Sequence, residues 1–238
     1  MLCNSVDLLY RLSGDLCTLP EIVKLKKQFH FRLMIDESLS FGTVGKAGRG
    51  VSEHFGIDIK NIDMCLVSMD CALGSIGGGC VGTNEVVDHQ RLSGSGYCFS
   101  ASCPPFLFAA AVDALTNLQT SGPELLTKMR SNVNTLVAGI KTIPKIDIIS
   151  DTDSPVVHIV LDTNTNSNTN VDSYDSELIL VQKIADRCVK NGIGLIATNH
   201  DIKLLKDIKT TSKSFRATLR INVTATLTSN EIKKIVKE

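Results

Sequence analysis

The chain has 238 residues, 43% hydrophobic and 21% charged, with a formal net charge of +0. That is ordinary usage for a globular protein of one or two domains, and enough chain to bury a substantial core. A balanced charge with no basic stripe argues against nucleic acid as a partner, and no apolar run approaches the ~20 residues of a membrane helix.

Eight cysteines include no Cys-x-x-Cys pair and no companion His-x-x-x-His, so no metal site is expected and the thiols read as reduced and mostly buried. Thr18-Leu-Pro-Glu21 has the spacing of a capping box with proline in the first turn, and predicts a helix with Ile22, Leu25 and Phe29 on one face. A strand follows over Phe31–Ile35, and Asp36 stands at its carboxyl end, where open α/β sheets bind ligands. The plain alternative for Asp36 is a loop or capping aspartate. Beyond it runs a glycine loop, Gly42, Gly45, Gly48 and Gly50, with Lys46 as an exposed loop lysine and Glu53 and His54 as surface or packing residues.

Asp63–Gly82 is the stretch around which the rest of the chain can be read. Met64–Ser68 predicts a buried strand, and Gly74, Gly77, Gly78, Gly79 and Gly82 follow it. A strand running into a glycine-rich turn often delivers a reactive side chain to the ligand crevice. This one delivers Ser68, Asp70 and Cys71. A nucleotide reading is weak: the P-loop pattern is absent, and the one Gly-x-Gly-x-x-Gly, Gly77–Gly82, does not directly follow a strand.

Farther on, Asp88-His-Gln-Arg-Leu-Ser-Gly-Ser-Gly-Tyr-Cys-Phe-Ser-Ala-Ser102 ends at Pro104-Pro105 and predicts a serine-rich turn before a helix over Pro104–Leu118. Such a turn can bind an anion or simply cap the helix. Gly122-Pro123 predicts a domain junction, dividing the chain into 1–121 and 122–238. Leu125, Met129, Val133, Leu136 and Ile140 predict a further helix stripe. Pro155–Leu161 predicts a strand with His158 as a satisfied core histidine. The polar run beginning Asp162-Thr-Asn-Thr-Asn cannot bury apolar area and predicts a disordered insertion over 162–173. Leu178, Val181, Ala185 and Cys188 predict a helix closed by Asn191-Gly192, and Leu195–Thr198 a strand. Phe215–Thr224 predicts a strand bearing Arg220. Thr228–Glu231 is a second capping box.

Three of these stretches resemble the α-oxoamine synthase family of pyridoxal-phosphate enzymes. Met34–Gly50 is similar to the family's Asp-Glu-Ala-His-Ser-x-Gly-x-x-Gly-x-x-Gly-Arg-Gly, with Ser38 for the alanine and Leu39 for the histidine. Ser68–Gly78 is similar to its Thr-x-Ser-Lys-x-x-Gly-x-x-Gly-Gly, with Cys71 at the lysine that holds the cofactor as a Schiff base. Phe99–Pro105 is similar to its Phe-Ser-Thr-Ser-x-Pro-Pro.

The resemblance implies an α/β architecture of the fold-type-I, aminotransferase-like kind: part of a large cofactor domain, then a small C-terminal α/β domain. Position 1 then falls inside the large domain, and the chain reads as a fragment lacking an N-terminal part. It implies that Asp36 occupies the position that meets the cofactor's pyridine nitrogen, kept here as a vestige. Ser100 and Ser102 would reach the cofactor phosphate of a neighbouring subunit. Arg220 matches an arginine that holds a substrate carboxylate; the alternative is an arginine on the solvent face of its strand. The family histidine after it falls at Leu227.

With Cys71 and Leu39 at the catalytic positions, the pattern implies a non-catalytic subunit. Its pyridoxal phosphate is bound by a lysine-bearing catalytic partner in a heterodimer. That complex condenses serine with palmitoyl-CoA to 3-ketosphinganine in sphingolipid biosynthesis. It sits on the cytosolic face of the endoplasmic reticulum, and its membrane segment lies outside this chain. The alternative is an active acyltransferase with a relocated lysine.

Overall fold

The computed structural model describes residues 3–161, 171–198 and 217–237. They form two compact units, the first of residues 1–10 and 16–127, the second of residues 11–15 and 128–238.

The first unit is built on a four-stranded sheet in the order β1-β2-β3-β4, with β1 Cys3–Asp7, β2 Arg32–Asp36, β3 Met64–Ser68 and β4 Gly78–Gly82. The first three strands are parallel and β4 runs antiparallel to β3. Helix α1, Leu19–Phe29, makes the crossover from β1 to β2, as parallel neighbours require. Its proline stands in the first turn, but the Thr18 side chain makes no cap bond. The inward face also differs from expectation: Leu19 and Val23 are buried, whereas Leu25 and Phe29 are exposed. The inward row therefore starts at the first helical residue.

Asp63, just before β3, holds the amino ends of β2 and β3 together. Its carboxylate accepts the Leu33 N–H at 2.8 Å and the Arg32 guanidinium at 2.6 Å, and pairs with Lys26. Burial pushes its pKa up. The Leu33 amide, Lys26 and Arg32 outweigh that and hold it below the usual aspartate value.

The single turn α2 (Val51–His54) precedes β3, and after β4 come α3 (Asn84–Ser93), the single turn α4 (Ser95–Cys98) and α5 (Pro105–Ile140). The sequence predicts two helices broken at Gly122-Pro123; the structure has one helix of 36 residues with Pro123 inside it. A helical proline forfeits one hydrogen bond. Buried Leu126, Met129, Val133, Leu136 and Ile140 supply a continuous apolar row beyond it, and packing overrides the local preference. The division into units falls after Thr127 rather than after residue 121.

The second unit has an antiparallel sheet in the order β5-β6-β8-β7, from Ile146–Ile148, Val156–Leu161, Thr218–Asn222 and Ile196–Thr198. Its core joins Val133, Leu136 and Ile140 of α5 to Val157, Ile159, Leu219 and Ile221 of the sheet. Helices α6 (Val171–Lys190) and α7 (Ser229–Lys237) add Val181, Ala185 and Ile232. The expected face of α6 is the buried one, and its C-terminus closes as predicted: Gly192 has φ 75° and the Ile193 amide donates to the Cys188 carbonyl at 2.8 Å. The Thr228 capping box forms, with the Thr228 amide on the Glu231 carboxylate at 2.7 Å and the Glu231 amide on the Thr228 hydroxyl at 3.3 Å. Because α6 begins at Val171, the last three residues of the expected insertion 162–173 are helical. The tract Asp162–Asn170 and the lysine-rich segment up to Ser214 lie outside the described residues.

His158 is fully buried. Its Nε2 donates to the Arg11 carbonyl at 3.0 Å and its Nδ1 meets the Thr218 hydroxyl at 2.8 Å. It is the satisfied core histidine that the sequence predicts.

Candidate functional site

The parallel strands of the first unit end together, since Asp7 is in register with Asp36 and Asp36 with Leu66. At these carboxyl ends lie two glycine-rich segments.

The first follows β2 and is organised by two carboxylates. Glu37 is buried, bonds the Ser40 hydroxyl, and accepts the Val51 and Ser52 amides at 2.9 and 3.2 Å. A Cβ at Gly50, whose φ is +93°, would collide with that same carboxylate. Glu53 accepts the amides of Ala47 and Arg49, each at 3.0 Å. Of the surface and packing roles that the sequence offers for Glu53, the structure shows the second: it organises the loop. Amides so occupied are not offered to a phosphate. Lys46 is exposed, as expected.

The second segment carries the residues singled out in the sequence. The Ser38 amide donates to the Asp36 carboxylate at 2.8 Å, and the Ser38 hydroxyl accepts the Ser68 amide at 2.9 Å. Asp36 and Ser68 are thereby brought to one end of the sheet through Ser38, which stands where the family motif has alanine. Leu39 is half-buried beside it. Asp70 bonds the Ser68 hydroxyl and takes the Cys71 thiol at 3.5 Å, and Cys71 is exposed. Gly77–Gly82 continues into β4 and forms a strand edge, which removes the nucleotide-loop reading.

The group that this motif implies is pyridoxal phosphate, held through a lysine. A thiol at Cys71 cannot form an imine, and no hydrogen-bonding ring stands at Leu39. The residues present do not fit a covalently held cofactor.

Ser100 and Ser102 lie in an exposed segment. The Ser100 hydroxyl turns back to the Gly96 carbonyl within α4. Exposed Leu92, Tyr97, Phe99 and Phe106 accompany them, Phe99 at 90%. In the second unit Arg220 lies on the central strand β8, in register with His158 on β6 and Ile196 on β7. Its Nε is buried without a hydrogen-bond partner. Burial, and then the charge of Arg11, lower its pKa from the usual arginine value.

Residues 12–238 match the family described as aminotransferase class I and II. The chain belongs to that family. It is 41% identical over 192 residues to long chain base biosynthesis protein 1b of Oryza sativa subsp. japonica, covering 81% of this chain and 38% of that one. It is 35% identical over 237 residues to serine palmitoyltransferase 1 of Dictyostelium discoideum, covering 98% and 47%. The chain thus spans about half or less of the length of these relatives.

Among solved structures, it superposes on a serine palmitoyltransferase from S. paucimobilis with a bound PLP–myriocin aldimine. The TM-score is 0.79 at 22% identity, over 99% of this chain and 53% of that one. On 8-amino-7-oxononanoate synthase from Francisella tularensis the TM-score is 0.76 at 20% identity, over 98% and 60%. The fold is therefore the α/β fold of the pyridoxal-phosphate transferases, as the sequence motifs imply.

Proposed function

We propose that this chain belongs to the non-catalytic subunit of a serine C-palmitoyltransferase, the complex that condenses serine with palmitoyl-CoA to 3-ketosphinganine. The observation that carries this reading is Cys71. It occupies the lysine position, bonded to Asp70, at the end of a strand whose neighbours keep the family's aspartate and glycine loop. Transimination needs an internal imine to start from, and a thiol supplies none. Pyridoxal phosphate is then bound by a lysine-bearing partner in a heterodimer at the endoplasmic reticulum membrane, with the membrane anchor outside this chain.

In this reading the chain supports catalysis through its surface. The exposed segment Arg91–Pro105 combines uncovered apolar side chains with the Ser100 and Ser102 hydroxyls, a combination suited to docking a partner. Hydroxyl donors to a phosphate dianion are charge-assisted, each worth about 1.5–3 kcal/mol. The Ser100 hydroxyl would exchange its bond to the Gly96 carbonyl for one to the partner's cofactor phosphate. Arg220 would face the substrate carboxylate.

The test is borohydride trapping in a complex reconstituted with a lysine-bearing partner. The reduced cofactor should label the partner and leave this polypeptide unlabelled. Labelling of this chain would establish the alternative, an active enzyme with a relocated lysine. Cys71→Lys alone should give no serine-dependent CoA release, because Leu39 and Leu227 leave ring and substrate unaligned.

A further inference from the structure

We propose that the first unit carries a binding site for a single-chain alkyl carboxylate, with Arg49 holding the head and α5 holding the tail. The residues that form it have no part in the subunit role proposed above.

The site starts from the first glycine segment, which is closed on itself. The Gly42 amide donates to the Gly48 carbonyl at 2.7 Å, and Phe41 pairs with Arg49 across an isolated bridge. This loop seats against α5: a Cβ at Gly48 would stand 3.1 Å from a Leu126 methyl, and one at Gly42 3.8 Å from a Leu118 methyl. Between loop and helix lies a cavity of about 430 Å³, lined by Phe41, Arg49, Leu115, Leu118, Gln119 and Pro123 among others. Small-molecule sites are commonly of this size.

The cavity sets one cation against an apolar wall. Among the described residues the Arg49 guanidinium makes no ion pair. The carboxylates of its own loop do not serve it: Glu53 takes the Arg49 backbone amide, and Glu37 the Val51 and Ser52 amides. Beside it stands Gln119, a neutral donor and acceptor. Pro123 has no N–H to return to the Gln119 carbonyl four residues earlier, so the helix ladder is open at the same place.

The wall continues along the helix. Phe108, Val112, Leu115 and Gln119 recur at helical spacing and share one face of α5, and Phe108, Val112 and Leu115 are exposed. A linear molecule with one anionic end matches an apolar row that leads away from a single cation. Its carboxylate suits the planar fork of arginine, and its alkyl chain covers Leu115, Val112 and Phe108. A dianion would leave one charge unmatched, and a compact anion would leave the row bare.

The experiment is calorimetric titration of the full chain with octanoate, decanoate and dodecanoate below their micelle concentrations. Dodecyltrimethylammonium, which has the same tail and the opposite head, is run beside them. Affinity should rise about two- to fourfold per added methylene, and the ammonium should bind at least about tenfold more weakly than dodecanoate. Arg49→Met should weaken dodecanoate at least about tenfold, the loss of one charge-assisted contact. Leu115→Ser should flatten the chain-length series. Equal affinity for dodecanoate and the ammonium, dodecanoate binding unchanged in Arg49→Met, or an unchanged series in Leu115→Ser would overturn the proposal. Circular dichroism checks that each variant is folded. Arg49 is exposed and its loop bond is made by the backbone, so Arg49→Met decides even if Leu115→Ser unfolds. No partner, cofactor or acyl transfer enters the measurement, so its failure is distinct from failure of the heterodimer reading.

Discussion

The two glycine-rich segments of the first unit look alike in sequence and differ in what surrounds them. In Gly42–Gly50 the place of each missing Cβ is filled. Ala72 stands at Gly42, the Glu53 carboxylate at Gly45, the Leu126 methyl 3.1 Å from where a Gly48 Cβ would be, and the Glu37 carboxylate at Gly50. At Gly74, Gly77 and Gly79 that space is open, whereas a Cβ at Gly78 would stand 3.3 Å from the Val67 carbonyl. A Cβ at Gly74 or Gly79 would meet nothing within 4 Å among the described residues, and one at Gly77 only Met69 and Cys103 sulfurs at 3.6 and 3.8 Å. The first segment uses glycine to pack itself. The second keeps glycine at Gly74, Gly77 and Gly79 although nothing among the described residues crowds them, and it follows directly on Cys71.

The contrast is most easily broken at Gly50. Its backbone, φ 93° and ψ −167°, lies in a region that only glycine occupies readily. Its missing Cβ is where Glu37 caps the Val51 and Ser52 amides. Gly50→Ala combines backbone strain with the displacement of a buried carboxylate, and should cost about 3–5 kcal/mol. Urea unfolding of the full chain measures it. A cost below about 1 kcal/mol would mean that the loop is not held by Glu37.

Both segments hang from β2 and β3, whose amino ends Asp63 clamps. Asp63→Asn removes a charge from bonds to Lys26, Arg32 and the Leu33 amide, and should cost about 2 kcal/mol at neutral pH. The folded-state pKa of Asp63 is lowered. Its contribution is therefore complete above the unfolded aspartate value, about 3.9, and is lost as pH falls through the lower folded value. Unfolding curves of the two proteins should converge in acid. A gap independent of pH would assign Asp63 a packing role only.

Much of this was legible in the sequence, and the misses have physical causes. Strand β3 followed from its apolar run, although its five residues are half-buried rather than buried, and the face of α6 followed from apolar spacing. The two capping boxes share a spacing, yet only Thr228–Glu231 closes reciprocally; Thr18 makes no side-chain bond, and spacing alone does not determine which will close. Strand β4 left no signal, because three of its five residues are glycine and pairing with β3 defines it. Glu37 and Glu53 were hidden because the amides they satisfy lie up to 15 residues away. The break predicted at Gly122-Pro123 failed because long-range packing sustains α5. Within the candidate site, Cys71, Leu39 and Asp36 were readable by motif, whereas the Ser38 bridge required the tertiary fold.

A smaller effect is expected at Gly74. Its φ of +58° lies in the left-handed region, but the space around it is open. Gly74→Ala therefore carries the backbone cost alone, about 1 kcal/mol. The difference between Gly50→Ala and Gly74→Ala, measured in the same urea series, isolates what the Glu37 collision adds to a left-handed glycine. Equal costs would erase the distinction between a filled and an open segment.

The smallest effect, and the sharpest test of the contrast, is at Gly79. It lies inside β4, in register with Val67; it is not among the positive-φ glycines, and a Cβ there meets open space. Glycine inside a strand is less stable than alanine by roughly 0.5–1 kcal/mol, because the unfolded chain is freer. At a strand edge part of that gain is lost, so Gly79→Ala should stabilise the chain by at most about 0.5 kcal/mol. The sign is opposite to that of Gly50→Ala. The proposed complex with a lysine-bearing partner then becomes the informative readout. If Gly79→Ala leaves urea stability unchanged or raised but weakens assembly, the open space at Gly79 is occupied in the complex. If both are unchanged, the glycine has no packing role in either state. A destabilisation above about 1 kcal/mol would show that the second segment is as tightly filled as the first.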